Sequence, residues 1–188
     1  MKRRMSPVAI LALILACCAN AQAVEYQDVN RTASLISFTF KQLGQRVYGT
    51  FSEFEGSLDF DTQRPEAGHA RLKIQLASID AGSPDANDEL QRASWFDTAT
   101  FPVGVYESTG VTALGNNRYK IDGNLTIKGT TRAVTVDVLL KEQDGIGVFD
   151  GEFILNRCDF KIGDGEWAGN SVVSNDINIK FKMVAPQR

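Results

Sequence analysis

The chain has 188 residues, with 20 basic and 23 acidic side chains, three cysteines and a single histidine. No long basic run exists, which argues against nucleic acid or an anionic membrane surface as partner. One histidine cannot build a histidine-rich metal centre or more than one His-based triad, and thiolate sites lack ligands.

The first 23 residues read as a secretory signal peptide. Lys2, Arg3 and Arg4 form a basic start, Val8 to Ala16 is a short apolar run, and Ala21-Gln22-Ala23 is a small-x-small cleavage site. The apolar run of nine residues is far short of the ~20 that span a hydrocarbon core. Cys17 and Cys18 after Ile14-Leu15-Ala16 offer lipid attachment as a second reading. Leu15 fits a lipobox poorly, so cleavage after Ala23 and a soluble product outside the cytoplasm are expected. The mature chain would keep 165 residues from Val24, with 17 basic and 23 acidic groups, a net charge of −6. That length suits one domain with a sizeable core. Only Cys158 would survive, so no intramolecular disulfide can form and the core must hold the fold. Cys158 lies in a strand-like stretch without a nearby histidine and reads as a packed or partly covered thiol.

Beyond residue 30 almost everything reads as strand. Ile36, Phe38 and Phe40 alternate with Ser37 and Thr39, a period of two that gives one dry face and one wet. From Val47 to Phe60 the phase changes: Val47, Gly49 and Phe51 share one parity, Phe54, Gly56, Leu58 and Phe60 the other. A turn or bulge near Ser52-Glu53 would keep both sets facing inward. Leu72, Ile74 and Leu76 alternate with charged and amide neighbours from Arg71 to Ser78. Ser83 is a plausible N-cap with Pro84 at the first helical position, predicting one helix to about Ala93, before Trp95-Phe96. Tyr119 to Lys128, Val134 to Leu140 and Val173 to Met183 complete the alternating runs, with turns at Gly115-Asn116-Asn117 and Asp144-Gly145. Eight or nine antiparallel strands around one core fit a sandwich or an up-and-down barrel. A closed eight-stranded barrel can hold one small ligand, and periodicity alone leaves a cavity and a solid core equally open.

Motifs for chemistry are sparse. His69 has no obvious triad partners, and Cys158 has no base beside it, so a hydrolase or redox enzyme is disfavoured. The glycine-rich run Gly163 to Gly169 lacks the spacing of a phosphate cradle. The sequons at Asn30 and Asn124 are short patterns of a kind that often occurs by chance.

In order and spacing, the segments from Tyr26 to Phe181 resemble the YceI-like, polyisoprenoid-binding periplasmic proteins. The markers are Ser34 to Phe38, Leu43-Gly44, Val47 to Phe51, Phe54-Glu-Gly56, Phe60-Asp61, Ala77-Ser-Ile79, Trp95-Phe96, Phe101-Pro102, Glu107-Ser-Thr109, Gly123 to Ile127, Lys128-Gly129, Asn156 to Phe160 and Val173 to Ile179. The resemblance implies an all-β, lipocalin-like barrel of about eight strands with one short helix. It also implies an elongated apolar pocket for an isoprenoid chain, plausibly a quinone tail, with no other cofactor and no catalysis. Histidines common in the family correspond here to Ala33, Gln42 and Glu89, and its helix Arg-Asp pair to Ala86 and Asn87, so polar roles at the mouth are not inherited. The expected lining is Phe38, Phe40, Phe51, Leu58, Phe60, Leu72, Ile74, Leu76, Phe101, Leu125, Ile127 and Phe153, on the dry parity, with Trp95, Phe96 and Trp167 at the mouth. A quinone cargo would suit a membrane electron-transfer partner, and edge strands or an apolar mouth could support a homodimer. The competing reading is a solid barrel that acts through its surface in envelope stress.

Overall fold

The computed structural model describes residues 24–188. The signal-peptide and lipid-attachment readings therefore lie outside the described residues. In chain order the strands are β1 (Glu25–Gln27), β2 (Leu35–Gln42), β3 (Gln45–Phe51), β4 (Phe54–Asp61), β5 (His69–Gln75) and β6 (Ile79–Asp80). Helix α1 (Pro84–Gln91) follows, then β7 (Val103–Gly115), β8 (Arg118–Ile127), β9 (Thr130–Gln143), β10 (Ile146–Asn156) and β11 (Asp176–Pro186). All belong to one antiparallel sheet in the order β1-β4-β5-β7-β8-β9-β10-β11-β2-β3-β6.

Eleven segments replace the eight or nine strands expected, because two strands are bent. β3 and β4 are one run interrupted at Ser52-Glu53, where the parity changes. β5 and β6 are likewise one run, broken by a 3-10 turn at Leu76–Ser78. The two bends are tied together: Ser52 N donates to Ser78 O (3.2 Å) and Gln75 N to Glu53 O (2.9 Å). The Ser78 hydroxyl accepts from Glu53 N at 3.0 Å. β3 then pairs with β2 while β4 pairs with β5, so the sheet curls back on itself as a lipocalin-like barrel. Counted through the bends, eight strands make the wall, and β1 seals one edge by pairing with β4 and bridging Tyr26 to Gln187.

Helix α1 starts as expected, with the Ser83 hydroxyl accepting from Ala86 N at 3.3 Å. It stops at Gln91 rather than Ala93, because the chain turns sharply: Trp95 N and Asp97 N both donate to Arg92 O. Val173 lies outside the last strand, in an isolated bridge to Gln42. Cys158 sits on a 3-10 turn (Arg157–Phe160) rather than a strand and is exposed, which corrects the covered thiol expected.

Interior packing differs along the barrel. At one end Tyr26, Phe60, Tyr119 and Phe149 meet edge-on, with ring centroids 4.9 Å (Phe60–Tyr119), 5.4 Å (Tyr26–Phe149) and 5.6 Å (Phe60–Phe149) apart. Glycines make room for such rings. A Cβ on Gly147 would lie 2.5 Å from the Tyr26 ring, and one on Gly123 2.5 Å from Tyr106. Phe38 covers Gly49 and Phe181 covers Gly151 in the same manner.

Candidate functional site: an apolar cavity beneath an arginine-pinned cap

Position along each strand decides whether an inward side chain meets a partner. On β8, Tyr119 belongs to the aromatic end, whereas Leu125 and Ile127 border open space. On β10, Phe149 is packed, whereas Phe153 and Leu155 are not fully met. The open space is a cavity of about 190 Å³. Its wall comes from Ile36, Phe38 and Phe40 on β2, Phe51 on β3, Ile74 and Leu76 around the β5 bend, Leu125 and Ile127 on β8, Phe153 and Leu155 on β10, and Ile177 and Ile179 on β11. Over it lie Ala86, Glu89 and Leu90 of α1, then Trp95 and Phe96, then Ile162, Trp167 and Val173 of the segment 157–173.

The expected residues therefore divide. Phe38, Phe40, Phe51, Ile74, Leu76, Leu125, Ile127 and Phe153 stand in the wall, as do Trp95, Phe96 and Trp167. Leu58, Phe60, Leu72 and Phe101 do not. Phe60 is part of the aromatic plug. Leu58 and Leu72 are half-buried against the core, on the far side of the Ser52-Glu53 bend. Phe101 leaves the barrel altogether: a Cβ on Gly129 would lie 2.9 Å from its ring, so it covers the β8–β9 turn instead. Ala33 and Asn87 also lie off the wall, whereas Gln42, Glu89 and Ala86 stand in it.

Sequence reasoning missed Arg157. It is 1% exposed, and among the described residues no acidic side chain pairs with it. Every N–H of the guanidinium goes to backbone. Nε donates to Ser174 O (3.0 Å), Nη1 to Ile162 O and Gly163 O (2.8 and 2.9 Å), and Nη2 to Trp167 O, Gly169 O and Val173 O (2.8 to 3.1 Å). A buried cation is costly unless it is fully hydrogen-bonded. Here it gathers the carbonyls of an irregular segment that has no other partner for them, and so fixes the cap over the cavity. Its Cζ also lies 5.6 Å from the centre of the Trp95 ring, a cation–π distance. The motif Asn156-Arg-Cys-Asp-Phe160 was the only sequence signal for it.

Trp95 and Trp167 meet at 5.5 Å between ring centroids. The Trp95 Nε1 donates to Glu89 Oε1 at 3.2 Å, and Glu89 Oε2 pairs with Arg92 at 2.8 Å. The Trp167 Nε1, although buried, has no partner among the described residues. Outside the cavity, the Tyr106 hydroxyl is also buried and unpaired; burial, with the Asp122 charge second, pushes its pKa up to about 12.

The remaining polar chemistry does not converge on this cavity. His69 Nδ1 lies 3.4 Å from Ser108 Oγ, and its Nε2 is 4.0 Å from Glu107. Ser108 is buried, and its oxygen accepts from Ala70 N at 2.8 Å, so it braces a strand. Neither residue lines the cavity.

The chain is similar to a UPF0312 protein of Azotobacter vinelandii, 30% identical over 138 residues that cover 72% of this chain and 71% of that protein. It is similar to a UPF0312 protein of Yersinia pestis, 33% identical over 135 residues, 71% of this chain and 70% of that one. Its fold matches the crystal structure of Burkholderia cenocepacia BcnA with a TM-score of 0.82 at 35% identity, covering 84% of this chain and 99% of that one. A polyisoprenoid binding domain from Saccharophagus degradans shares the fold at 17% identity, with a TM-score of 0.68 and coverage of 88% and 99%. The YceI-like domain matches residues 27–185, which takes in the cavity wall, the arginine-pinned cap and every plug ring but Tyr26, and the chain belongs to that family.

Proposed function

We propose that this protein is a non-enzymatic binding protein that carries an isoprenoid lipid, as a polyisoprenoid or the tail of a quinone, in the cavity beneath the cap. The carrying observation is the unfilled, aromatic-rich interior at one end of an otherwise well-packed barrel. Each methylene moved from water into such a wall contributes roughly 0.8 kcal/mol, so a long chain binds without precise polar contacts. The polyisoprenoid binding domain of Saccharophagus degradans has the same fold and supports the reading. The basic start, short apolar run and Ala21-Gln22-Ala23 site support export to the periplasm. A barrel that acts only through its surface gives no reason for leaving this end empty.

The test is mass spectrometry of an organic extract of the mature protein, purified from a periplasm without detergent. A stoichiometric isoprenoid is expected in the wild type and none in a folded Phe38→Asp variant, because a carboxylate in the wall would be buried without a partner. A folded Phe38→Asp variant that kept its lipid would place the ligand elsewhere.

A further inference from the structure

Three kinds of isoprenoid end group could sit at this mouth: bare hydrocarbon, a neutral oxygen, or a diphosphate. We propose that the mouth selects the neutral oxygen, a carbonyl or hydroxyl, with the Trp167 Nε1–H as its donor and Glu89 as the group that turns a diphosphate away. This inference rests on the isoprenoid reading above.

Among the described residues, the only charged side chains in the cavity wall are Glu89 and Arg157. Arg157 has no N–H left for a ligand, since backbone carbonyls take all of them. A diphosphate close to it would face that ring of carbonyl oxygens rather than donors. Of the other cations near the cap, Lys161 is exposed and does not line the cavity, and two make contacts of their own. Lys128 Nζ donates to Lys161 O at 2.8 Å and lies 3.4 Å from Asp164, and Arg92 is held by Glu89 at 2.8 Å. An anion entering the mouth would lose its water and meet the Glu89 carboxylate, whose side chain is only 25% exposed. A neutral oxygen meets a different surface. The Trp167 Nε1–H is buried and unpaired, and an unmade buried hydrogen bond is a standing cost that a ligand acceptor removes. The Gln42 amide, in the same wall, can bond the same head.

The experiment is isothermal titration calorimetry of the mature, lipid-free protein with three compounds sharing one twenty-carbon isoprenoid chain: the hydrocarbon, the alcohol and the diphosphate. The alcohol is expected to bind about tenfold tighter than the hydrocarbon, and the diphosphate at least about tenfold weaker than the alcohol, the scale of one buried hydrogen bond. Trp167→Phe keeps an aromatic ring against Trp95 and is expected to bring the alcohol-to-hydrocarbon affinity ratio down to about one, a ratio in which any effect of the smaller ring on the wall cancels. Glu89→Gln keeps an acceptor for Trp95 and is expected to strengthen diphosphate binding alone; it decides the matter should Trp167→Phe not fold. Diphosphate binding as tight as the alcohol, or an alcohol-to-hydrocarbon ratio unmoved by Trp167→Phe, overturns the proposal and leaves the carrier reading intact. Failure of all three compounds to bind overturns both.

Discussion

The two ends of the barrel are built from the same kinds of residue and end in different states. At one end Tyr26, Phe60, Tyr119 and Phe149 lock edge to face, which adds about 0.5–1.5 kcal/mol per pair beyond the area buried. At the other, Phe38, Phe51 and Phe96 stand 5.5 Å and 6.3 Å apart along the wall and leave a cavity in front of them. The closed end is sealed by strand β1, which carries Tyr26 into the interior. The open end has no strand to seal it, and is covered by a helix and a cap pinned on one arginine. Aromatic content thus does not distinguish a plug from a pocket; what reaches across the axis does.

The largest effect expected comes from emptying the plug. Phe60→Ala should cost about 3–5 kcal/mol in equilibrium denaturation, because its two ring partners cannot collapse into the space. Phe153→Ala at the hollow end should cost roughly 1–2 kcal/mol, since its ring already borders open volume, yet weaken isoprenoid binding. Equal losses of stability at the two sites would erase the distinction between the ends.

Next in size is the cap. Arg157→Met removes five donors and orphans several buried carbonyls, each worth about 1–3 kcal/mol if it stayed dry. Local opening limits the total, so a loss of about 2–3 kcal/mol is expected, with hydrogen exchange rising across residues 157–173 and little change in β7 to β9. Exchange that rose evenly over the barrel would show that the arginine holds the wall and not the cap.

The smallest effect concerns alkaline stability. Tyr26, in the plug, and Tyr106, away from both the plug and the cavity wall, each have a pKa pushed from 10.0 to about 12, in both cases chiefly by burial. The folded state holds these protons more tightly than the unfolded chain. The stabilisation is complete below pH 10 and is lost as pH rises through 12. Denaturation midpoints should fall across that window, and Tyr106→Phe should flatten the fall. A slope unaffected by either Tyr→Phe change would assign the alkaline loss to other groups.

Much of this protein was determined by sequence alone. Alternation at Ile36-Phe38-Phe40 and Tyr119 to Ile127 requires half-wet antiparallel strands, and the parity change at Ser52-Glu53 requires the bend that lets the sheet close. Ser83-Pro84 sets the start of helix α1, and the order of weak motifs points to the YceI-like family. β7 and β10 were less legible, because Gly104, Gly110, Gly147 and Gly151 interrupt their apolar pattern where the Leu76 side chain, a bulge or neighbouring rings take the space. Tertiary structure alone decided which dry-face residues meet a cavity. Parity tells which side of a strand faces inward, but not how far along the axis a residue sits or what comes to meet it. That is why Phe60 became a plug, Phe101 a turn cover and Phe38 a wall. It is also why a buried arginine, invisible to periodicity, became the pin of the cap: its six carbonyl partners converge only when the chain between Arg157 and Ser174 folds back around it.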